Sequence, residues 1–377
     1  MHPVPLGLYM HLPWCRNKCP YCDFNSHQQP ANLAELLDNY ATALLREWRQ
    51  RSPLLEGREI QTIYCGGGTP NLAPPEWYAR LFFELRRDAA LAQNCEITLE
   101  ANPGAGRNHD YLGYAQAGFN RVSLGIQSFC ADTLNALGRD YTTELAVQAI
   151  EQLLVSPINN FNFDLLYATP NQHLQQLEND LTIALGYAPP HLSCYELSIE
   201  PNTLFFSHQP QHLPAAEIKN TMFLFIEDKL AQHGFEHYEV SAYATAGYAS
   251  RHNCSYWEFG DYLSLGAGAH AKITLPAQQQ LLRYANPKNP ATYMAMQHYP
   301  APQLQQDCLF QFCLNSFRLA QGVPLEQSAL RLCTTQQQLL SSLTELLETG
   351  SLLVEEGRLR LARQAWLNQN SLLERLV

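Results

Sequence analysis

Three cysteines near the start of the chain have the spacing of a metal-binding site. Cys15, Cys19 and Cys22 lie in the segment CRNKCPYCDF, at C-x3-C-x2-C spacing. Structural zinc usually takes four tetrahedral ligands in two close pairs, and no fourth ligand is evident nearby. A [4Fe–4S] cluster is held by cysteine thiolates, and three of them would leave one iron open to another ligand. The spacing therefore favours an iron–sulfur cluster over zinc, a disulfide or chance.

Composition and charge indicate the setting of this chemistry. The chain has 377 residues, 11 cysteines and a formal net charge of -11. The odd number of cysteines, and an N-terminus without a basic region or a long apolar stretch, favour a reducing cytosol over a secreted disulfide scaffold. The negative charge argues against nucleic acid as a partner. No apolar stretch is long enough to span a membrane, so we expect a cytoplasmic protein, with peripheral membrane contact left open.

Short apolar strands alternate with amphipathic helices over the first half of the chain. The predicted strands cover residues 8–12, 61–65, 96–100, 121–126, 161–166 and 192–197. Such alternation implies a parallel sheet with right-handed crossovers. GGGTP, EANP and IQSF follow or end three different strands, whereas a doubly wound sheet would concentrate its ligand at one switch point. The predicted fold class is α/β, with a partial six-stranded (β/α)6 barrel over residues 1–215.

The second half of the chain does not continue the regular alternation of strands and helices. Residues 216–300 are interpreted as a linking region that contains HNCSYW at 252–257 and the glycine-rich LGAGAHAK at 265–272. Residues 301–377 read as three helices, a short hairpin and a final helix, which predicts a winged-helix-like α+β domain. Residues 307–377 contain six Arg and no Lys against seven Asp and Glu, so a structural or partner-binding role is favoured over DNA binding.

The cysteine triplet at the end of the first strand resembles the signature of the radical S-adenosylmethionine (SAM) enzymes. The resemblance implies that Cys15, Cys19 and Cys22 hold a [4Fe–4S] cluster whose open iron is chelated by the amino and carboxylate groups of SAM. In that family one electron from the cluster splits a carbon–sulfur bond of SAM and yields a 5′-deoxyadenosyl radical. GGGTP matches the family segment that contacts the methionine part of SAM, and glycines let a backbone approach a ligand closely.

Within this family the chain is similar to the oxygen-independent coproporphyrinogen III dehydrogenases and their HemW-type paralogues. The resemblance implies one or two SAM molecules, and the matching positions are Tyr9, Tyr21, Gly67, Gly68, Thr69, Glu100, Gln127, Arg139 and Asp164, with Ser198 near a further contact. From the residues alone, Asp164 and Arg139 could instead pair inside the protein, because an unpaired buried carboxylate is costly. Gln127 could likewise only bridge strands.

Two features favour the HemW-type paralogues over the dehydrogenases. Phe24 stands where the dehydrogenases carry a fourth, non-ligating cysteine, and HNCSYW matches the HNxxYW motif that the paralogues associate with heme. The resemblance implies a heme site at His252, Tyr256 and Trp257, with His252 as the ligand of the heme iron. The alternative is a core histidine with two packed aromatic residues.

Two other residues near the motif are left open. Cys254 could bind iron as a thiolate or be buried as a small apolar residue. His270 in GAGAH is a second candidate for the heme site.

The resemblance implies two functions. The first is a heme chaperone that binds the cluster, SAM and heme and passes heme to acceptor hemoproteins, membrane-bound respiratory proteins among them, with a homodimer as the implied assembly. The second is an oxygen-independent coproporphyrinogen III dehydrogenase. HNCSYW and Phe24 favour the chaperone, and whether the chain is an enzyme stays open.

Overall fold

The computed structural model describes residues 4–105, 109–305 and 308–374. The strands are β1 (Leu6–Leu12), β2 (Trp14–Cys15), β3 (His27–Gln28), β4 (Ile60–Gly67), β5 (Leu91–Ala101), β6 (Arg121–Gln127), β7 (Asn160–Tyr167), β8 (His191–Glu196), β9 (Glu236–Glu239), β10 (Ala242–Ala244), β11 (Asp261–Leu265), β12 (His270–Leu275), β13 (Gln280–Ala285), β14 (Gln303–Leu304), β15 (Val323–Pro324), β16 (Leu352–Glu355) and β17 (Arg358–Leu361).

Helices connect most of these strands. They are α1 (Leu33–Arg51), α2 (Pro75–Asp88), α3 (Tyr111–Ala117), α4 (Ala131–Ala136), α5 (Thr143–Leu154), α6 (Leu174–Gly186), α7 (Leu204–Ser207), α8 (Ala216–Gln232), α9 (Arg251–Trp257), α10 (Pro290–Ala295), α11 (Leu309–Ser316), α12 (Leu325–Arg331), α13 (Gln336–Ser342), α14 (Thr344–Glu348), α15 (Arg363–Leu367) and α16 (Gln369–Leu373).

Twelve strands form one sheet, in the order β14-β13-β12-β11-β1-β4-β5-β6-β7-β8-β10-β9. The strands β1 and β4 to β8 are consecutive neighbours, and each pairs parallel with the next. The α/β class is confirmed, and all six strands predicted from the sequence are present. The sheet is larger than predicted, because six short strands from residues 236–304 extend it at both edges, β11 parallel to β1 and most of the others antiparallel.

The strands around the centre of the sheet have one apolar and one polar face. In β6, Val122, Leu124 and Ile126 are completely buried, whereas the alternate positions begin with Arg121 and Ser123. Since successive side chains of a strand point to opposite faces, the apolar set packs under the helices and the polar set points away from them. The same alternation recurs in β5, β7 and β8, so the face of the sheet that points away from the helices is polar. We call this the inner face.

The C-terminal part has its own small sheet and its own core. Strands β15, β17 and β16 pair antiparallel, and helices α11 to α14 pack with them around a second apolar cluster. The third of the predicted helices breaks at Leu343 into α13 and α14, and the final predicted helix divides into α15 and α16, with its last residues outside the described part. The domain boundaries at residues 215 and 300 stay a prediction.

Among the helices of the described ranges, none combines the length and the apolar character that crossing a membrane requires.

Candidate cluster and cofactor site

A cavity of about 370 Å³ lies at the C-terminal ends of the parallel strands. It brings together most of the site residues predicted from the sequence, namely Cys15, Cys19, Tyr21, Cys22, Gly67, Gly68, Thr69, Glu100, Gln127, Arg139, Asp164 and Ser198. The lining of this cavity does not include Tyr9, His252, Tyr256 or Trp257. All the predicted SAM residues except Tyr9 therefore line one cavity, and the predicted heme residues lie outside its walls.

The three cysteines lie on one wall of this cavity. Cys15 ends β2, and the backbone N–H of Cys22 donates to the carbonyl of Cys19 at 3.1 Å. Burial raises the pKa of the Cys15 and Cys22 thiols. No group of three or more His, Cys, Asp or Glu in the described ranges is arranged to hold a single metal ion. Three thiols along one wall fit a cluster better than one ion, because each thiolate would bind a different iron.

Arg139 is the charged neighbour of the cysteines. Its Nη1 donates to the Tyr21 hydroxyl at 3.1 Å and lies 3.2 Å from Cys19 Sγ. Asp164 instead accepts from Ser123 Oγ at 3.0 Å and from Asn162 Nδ2 at 2.7 Å. The alternative Arg139–Asp164 pair is therefore not formed, and each residue is held in the cavity by its own partners.

The GGGTP segment passes very close to the strands that carry the cysteines. Gly67 has φ +117, and a Cβ at this position would lie 2.6 Å from the ring of His11. A Cβ at Gly68 would lie 2.6 Å from the carbonyl oxygen of Trp14, the residue before Cys15. Hydrogen bonding from Thr69 acts on the Cys15 thiol and lowers its pKa against the larger effect of burial. Glycine is thus required by packing, as well as by the left-handed conformation of Gly67.

Glu100 ends β5 and faces the same segment. Its Oε1 accepts from the Tyr64 hydroxyl at 2.8 Å, and its Oε2 accepts from the Gly67 backbone N–H at 3.1 Å. Burial raises the pKa of Glu100 to about 7, and the negative charge of Asp164 adds to this, while the two hydrogen bonds oppose it. Glu100 is therefore a carboxyl group that changes protonation near neutral pH, beside the glycine backbone.

Gln127 occupies a strained position at the end of β6. Its φ is +65, a region that few residues other than glycine adopt, and the pairing of β6 with β7 shifts register between Leu124 and Gln127. Strain of this kind is often found in functional sites, because it aims a side chain that regular geometry would direct elsewhere. Here it keeps Gln127 in the wall of the cavity.

The HNCSYW motif forms α9, and its histidine is buried beneath the cavity. His252 is 1% exposed, with Nδ1 at 2.7 Å from Thr62 Oγ1 and Nε2 at 2.8 Å from the Tyr256 hydroxyl. Its ring stacks on Tyr64, the tyrosine that donates to Glu100. Burial lowers the pKa of His252 to about 3, so the ring is neutral. Both nitrogens are engaged, and heme-iron ligation by His252 stays a prediction that requires one of these bonds to break.

The other residues of the motif point in different directions. Tyr256 packs edge-on against Tyr262, with ring centroids 4.5 Å apart. The ring of Trp257 lies under Arg318, whose guanidinium carbon is 4.3 Å from the ring centroid, and packs on the C-terminal core. Burial raises the pKa of Cys254 to about 12, which opposes a thiolate at this position. His270 is exposed at the start of β12.

Two supporting residues, His11 and Asn25, escaped the sequence analysis. Tyr9 shares a hydrogen bond of 2.9 Å with His11 Nδ1, and His11 Nε2 donates to the carbonyl of Asn25, just after the cysteine loop. Asn25 Nδ2 donates in turn to the carbonyl of Ala267 in the glycine-rich run. A Cβ at Gly268 would lie 2.3 Å from this amide nitrogen. The glycine-rich run was the sequence signal for this contact, because its glycines allow the linking region to approach and support the cysteine loop.

The fold and the cysteine-lined cavity define a radical SAM protein, and the family model of the Radical SAM superfamily matches residues 9–183. The chain belongs to the HemW family within this class. It is 41% identical to the heme chaperone HemW of Haemophilus influenzae over 86% of this chain and 85% of that protein. It is 39% identical to the heme chaperone HemW of Escherichia coli over 85% of this chain and 84% of that protein.

The fold is also similar to a solved structure. Coproporphyrinogen III oxidase (HemN) from Escherichia coli, a radical SAM enzyme, aligns over 99% of this chain and 90% of its own chain with a TM-score of 0.79. Their sequences are 21% identical, so this likeness shows the fold alone.

Proposed function

We propose that the protein is a heme chaperone that binds a [4Fe–4S] cluster, SAM and heme and passes heme to acceptor hemoproteins. The observation that carries the proposal is the 41% identity, over most of both chains, to a protein named heme chaperone HemW. The HNCSYW motif and Phe24 support it from the sequence.

The cavity supports the cluster and SAM parts of the proposal. Cys15, Cys19 and Cys22 would hold the cluster, and the cluster would supply single electrons to a SAM molecule bound beside it. The backbone of Gly67 and Gly68 lines the cavity, and it is held close to His11 and Trp14, where a side chain at either glycine would clash. Glu100 and Gln127 then present polar groups from two further strands, and the number of SAM molecules, one or two, stays part of the proposal.

Exposed apolar side chains near the cysteine loop support a place for heme. Phe24 lines the cavity and is 59% exposed, and Leu204 and Phe206 of α7 are 58% and 54% exposed. Helix α7 lies against the cysteine loop, because the Phe205 N–H donates to the carbonyl of Pro20 at 2.9 Å. A porphyrin is a flat apolar ligand, and exposed aromatic faces of this kind are suited to cover it.

The predicted iron ligand fits the proposal only with a rearrangement. His252 would have to release Thr62 or Tyr256 to offer a ring nitrogen to iron. Loss of the Tyr256 bond costs less than loss of the Thr62 bond, because Tyr256 is only partly buried whereas Thr62 is 3% exposed. Heme binding through His252 would therefore be accompanied by a change at α9.

The dehydrogenase remains the second candidate and has less support. The likeness to HemN is one of fold, at 21% identity, against 41% for a heme chaperone HemW. The first proposal also includes a cytoplasmic location with peripheral membrane contact, hemoprotein acceptors in the membrane and a homodimer.

A hemin titration followed by heme transfer tests the proposal. The wild-type chain should shift the Soret band of hemin, and the heme-loaded protein should then convert an added apo-hemoprotein to its holo form. Phe24→Ala should weaken hemin binding, and Phe83→Ala, which removes a 65% exposed phenylalanine on α2, is the matched control.

The second candidate is tested separately. The reconstituted protein is incubated with SAM, a reductant and coproporphyrinogen III without oxygen. Absence of hemin binding together with formation of a decarboxylated porphyrinogen would replace the chaperone by the dehydrogenase.

A further inference from the structure

The guanidinium of Arg121 is a buried charge that lines the cavity and forms no salt bridge with any residue that the structure describes. Arg121 begins β6, is 1% exposed and contributes to the cavity wall. Its Nε has no hydrogen-bond partner among the residues that the structure describes. Burying a cation without an anion is strongly unfavourable.

Other buried cations of the protein have acidic partners. Arg51 Nε lies 3.4 Å from Glu47 Oε1, and Lys272 Nζ lies 3.0 Å from Asp261 Oδ1. Of the salt bridges formed within the described ranges, none includes Arg121. The fold thus supplies partners for buried charge elsewhere and leaves Arg121 without one.

The neighbours of Arg121 cannot replace a counter-ion. Asp164 accepts hydrogen bonds from Ser123 and Asn162, and burial raises its pKa although the positive charge of Arg121 opposes this effect. Within the described ranges the two residues form no salt bridge. His191 and His252 are both neutral, because burial and then the positive charge of Arg121 lower their pKa values. The inner end of the cavity therefore carries one positive charge surrounded by neutral or occupied groups.

We propose that Arg121 binds the carboxylate of a ligand that enters this cavity. A carboxylate matches the guanidinium in shape as well as charge, and two parallel hydrogen bonds join them. Under the proposed function, two ligands carry carboxylates: SAM on its methionine part and heme on its propionates. The inference goes beyond the proposed function. It rests on that function only for the identity of the two ligands, SAM and heme, that carry a carboxylate.

Arg121→Met tests the proposal in the full chain with its cluster reconstituted. Equilibrium binding is measured for two pairs of probes: SAM with decarboxylated SAM, which lacks only the carboxylate, and hemin with hemin dimethyl ester, whose propionates are blocked. We expect the variant to lose affinity about tenfold or more for the carboxylate-bearing member of one pair only. The pair that responds identifies the source of the carboxylate.

Thermal unfolding of the ligand-free protein provides a second readout. Arg121→Met should unfold at the same or a higher temperature than the wild type, because it removes an uncompensated buried charge. Arg51→Met is the matched control, and it should unfold at a lower temperature because Glu47 loses its cation.

Two results would overturn the proposal: unchanged affinity for all four probes, or an equal loss for both members of a pair. If the wild type binds no hemin, the proposed function fails while the SAM pair still tests Arg121.

Discussion

At the scale of single residues, burial decides which side chains of the site are charged. Glu100 has a pKa near 7, whereas His11 and His252 are neutral because burial lowers their pKa values to about 4 and about 3. Each of these side chains has hydrogen-bond partners that fix its orientation. The cavity is thus lined by polar groups of defined position, and its charge near neutral pH depends chiefly on Glu100, Asp164 and the two arginines.

The raised pKa of Glu100 predicts a pH-dependent cost to stability. The native state holds this proton up to about pH 7, whereas an unfolded chain loses it near the ordinary value of 4.5. The contribution of Glu100 to stability therefore falls as pH rises between these values, and it is lowest above pH 7. Glu100→Gln should raise the free energy of unfolding at pH 8, by at most about 3 kcal/mol, and less at pH 5.5.

Chemical denaturation of the ligand-free protein at the two pH values measures this difference. Glu84→Gln, on the surface of α2, serves as control and should change stability little at either pH. A loss of stability in Glu100→Gln at pH 8 would show that the ionised carboxylate and its two hydrogen bonds stabilise the fold.

The assignment of the cluster ligands makes a second prediction at this scale. Cys19→Ala should abolish the iron–sulfur absorbance of the reconstituted protein, because Cys19 is one of three thiols on the cavity wall. Cys130→Ala is the matched control, since Cys130 is also half-buried but does not line this cavity. Equal cluster content in the two variants, measured as iron and sulfide per chain, would contradict the assignment.

Single residues also show where the sequence is informative and where it is not. Cys15, Gly67 and Glu100 were identified from motifs, because each lies within a short segment whose spacing has a chemical meaning. The environment of Arg121 could not be identified in this way, since it depends on what β7, β8 and α9 place around it. In RVSLGIQ every second residue is apolar, and this alternation was the sequence signal that Arg121 lies on the inner, polar face of β6.

At the scale of elements, helix α9 forms the support beneath the cavity. The backbone N–H groups of Arg251 and His252 donate to Glu96 of β5, and the His252 side chain contacts β4. The parallel strands were predictable because they alternate with helices over long segments. The contacts of α9 with β4 and β5 were not predictable, because they join residues more than 150 positions apart.

This support predicts energetic coupling between α9 and the SAM site. His252 stacks on Tyr64, and Tyr64 donates to Glu100, so His252→Ala and Tyr64→Phe disturb the same carboxyl group. Each variant should weaken SAM binding, and the double variant should weaken it by less than the sum, with a coupling of about 1 kcal/mol.

A double-mutant cycle of SAM dissociation constants checks this coupling. Tyr256→Phe is the control for His252, because it removes one hydrogen bond of the imidazole and leaves the ring stacked. Strictly additive effects would mean that α9 does not position Glu100. If His252→Ala abolished the Soret shift and left SAM binding unchanged, iron ligation would be its role.

At the scale of the whole molecule, the same short motif joins the two apolar cores. His252 lies against the large sheet, while Trp257 packs on the C-terminal core and under Arg318. A further contact runs from Arg331 of α12 to Glu258, the residue after the motif, at 3.2 Å. The C-terminal part is therefore attached to the large sheet partly through this motif, and a second attachment joins Arg318 and Leu319 to Glu239 of β9.

Trp257→Ala should loosen this attachment without altering the cluster. The substitution removes the aromatic face that contacts Arg318 and the C-terminal core, and we expect a loss of about 2 kcal/mol in stability. Calorimetry should show one unfolding transition for the wild type and two for Trp257→Ala, because the two cores of the variant then unfold separately. Iron and sulfide content should stay at the wild-type value, since the cysteine loop is braced from Ala267 and not from the C-terminal part. Phe83→Ala, an exposed aromatic residue on α2, should leave one transition. One transition in Trp257→Ala would place the attachment in the other contacts of the C-terminal part, Arg331 with Glu258 and Arg318 with Glu239.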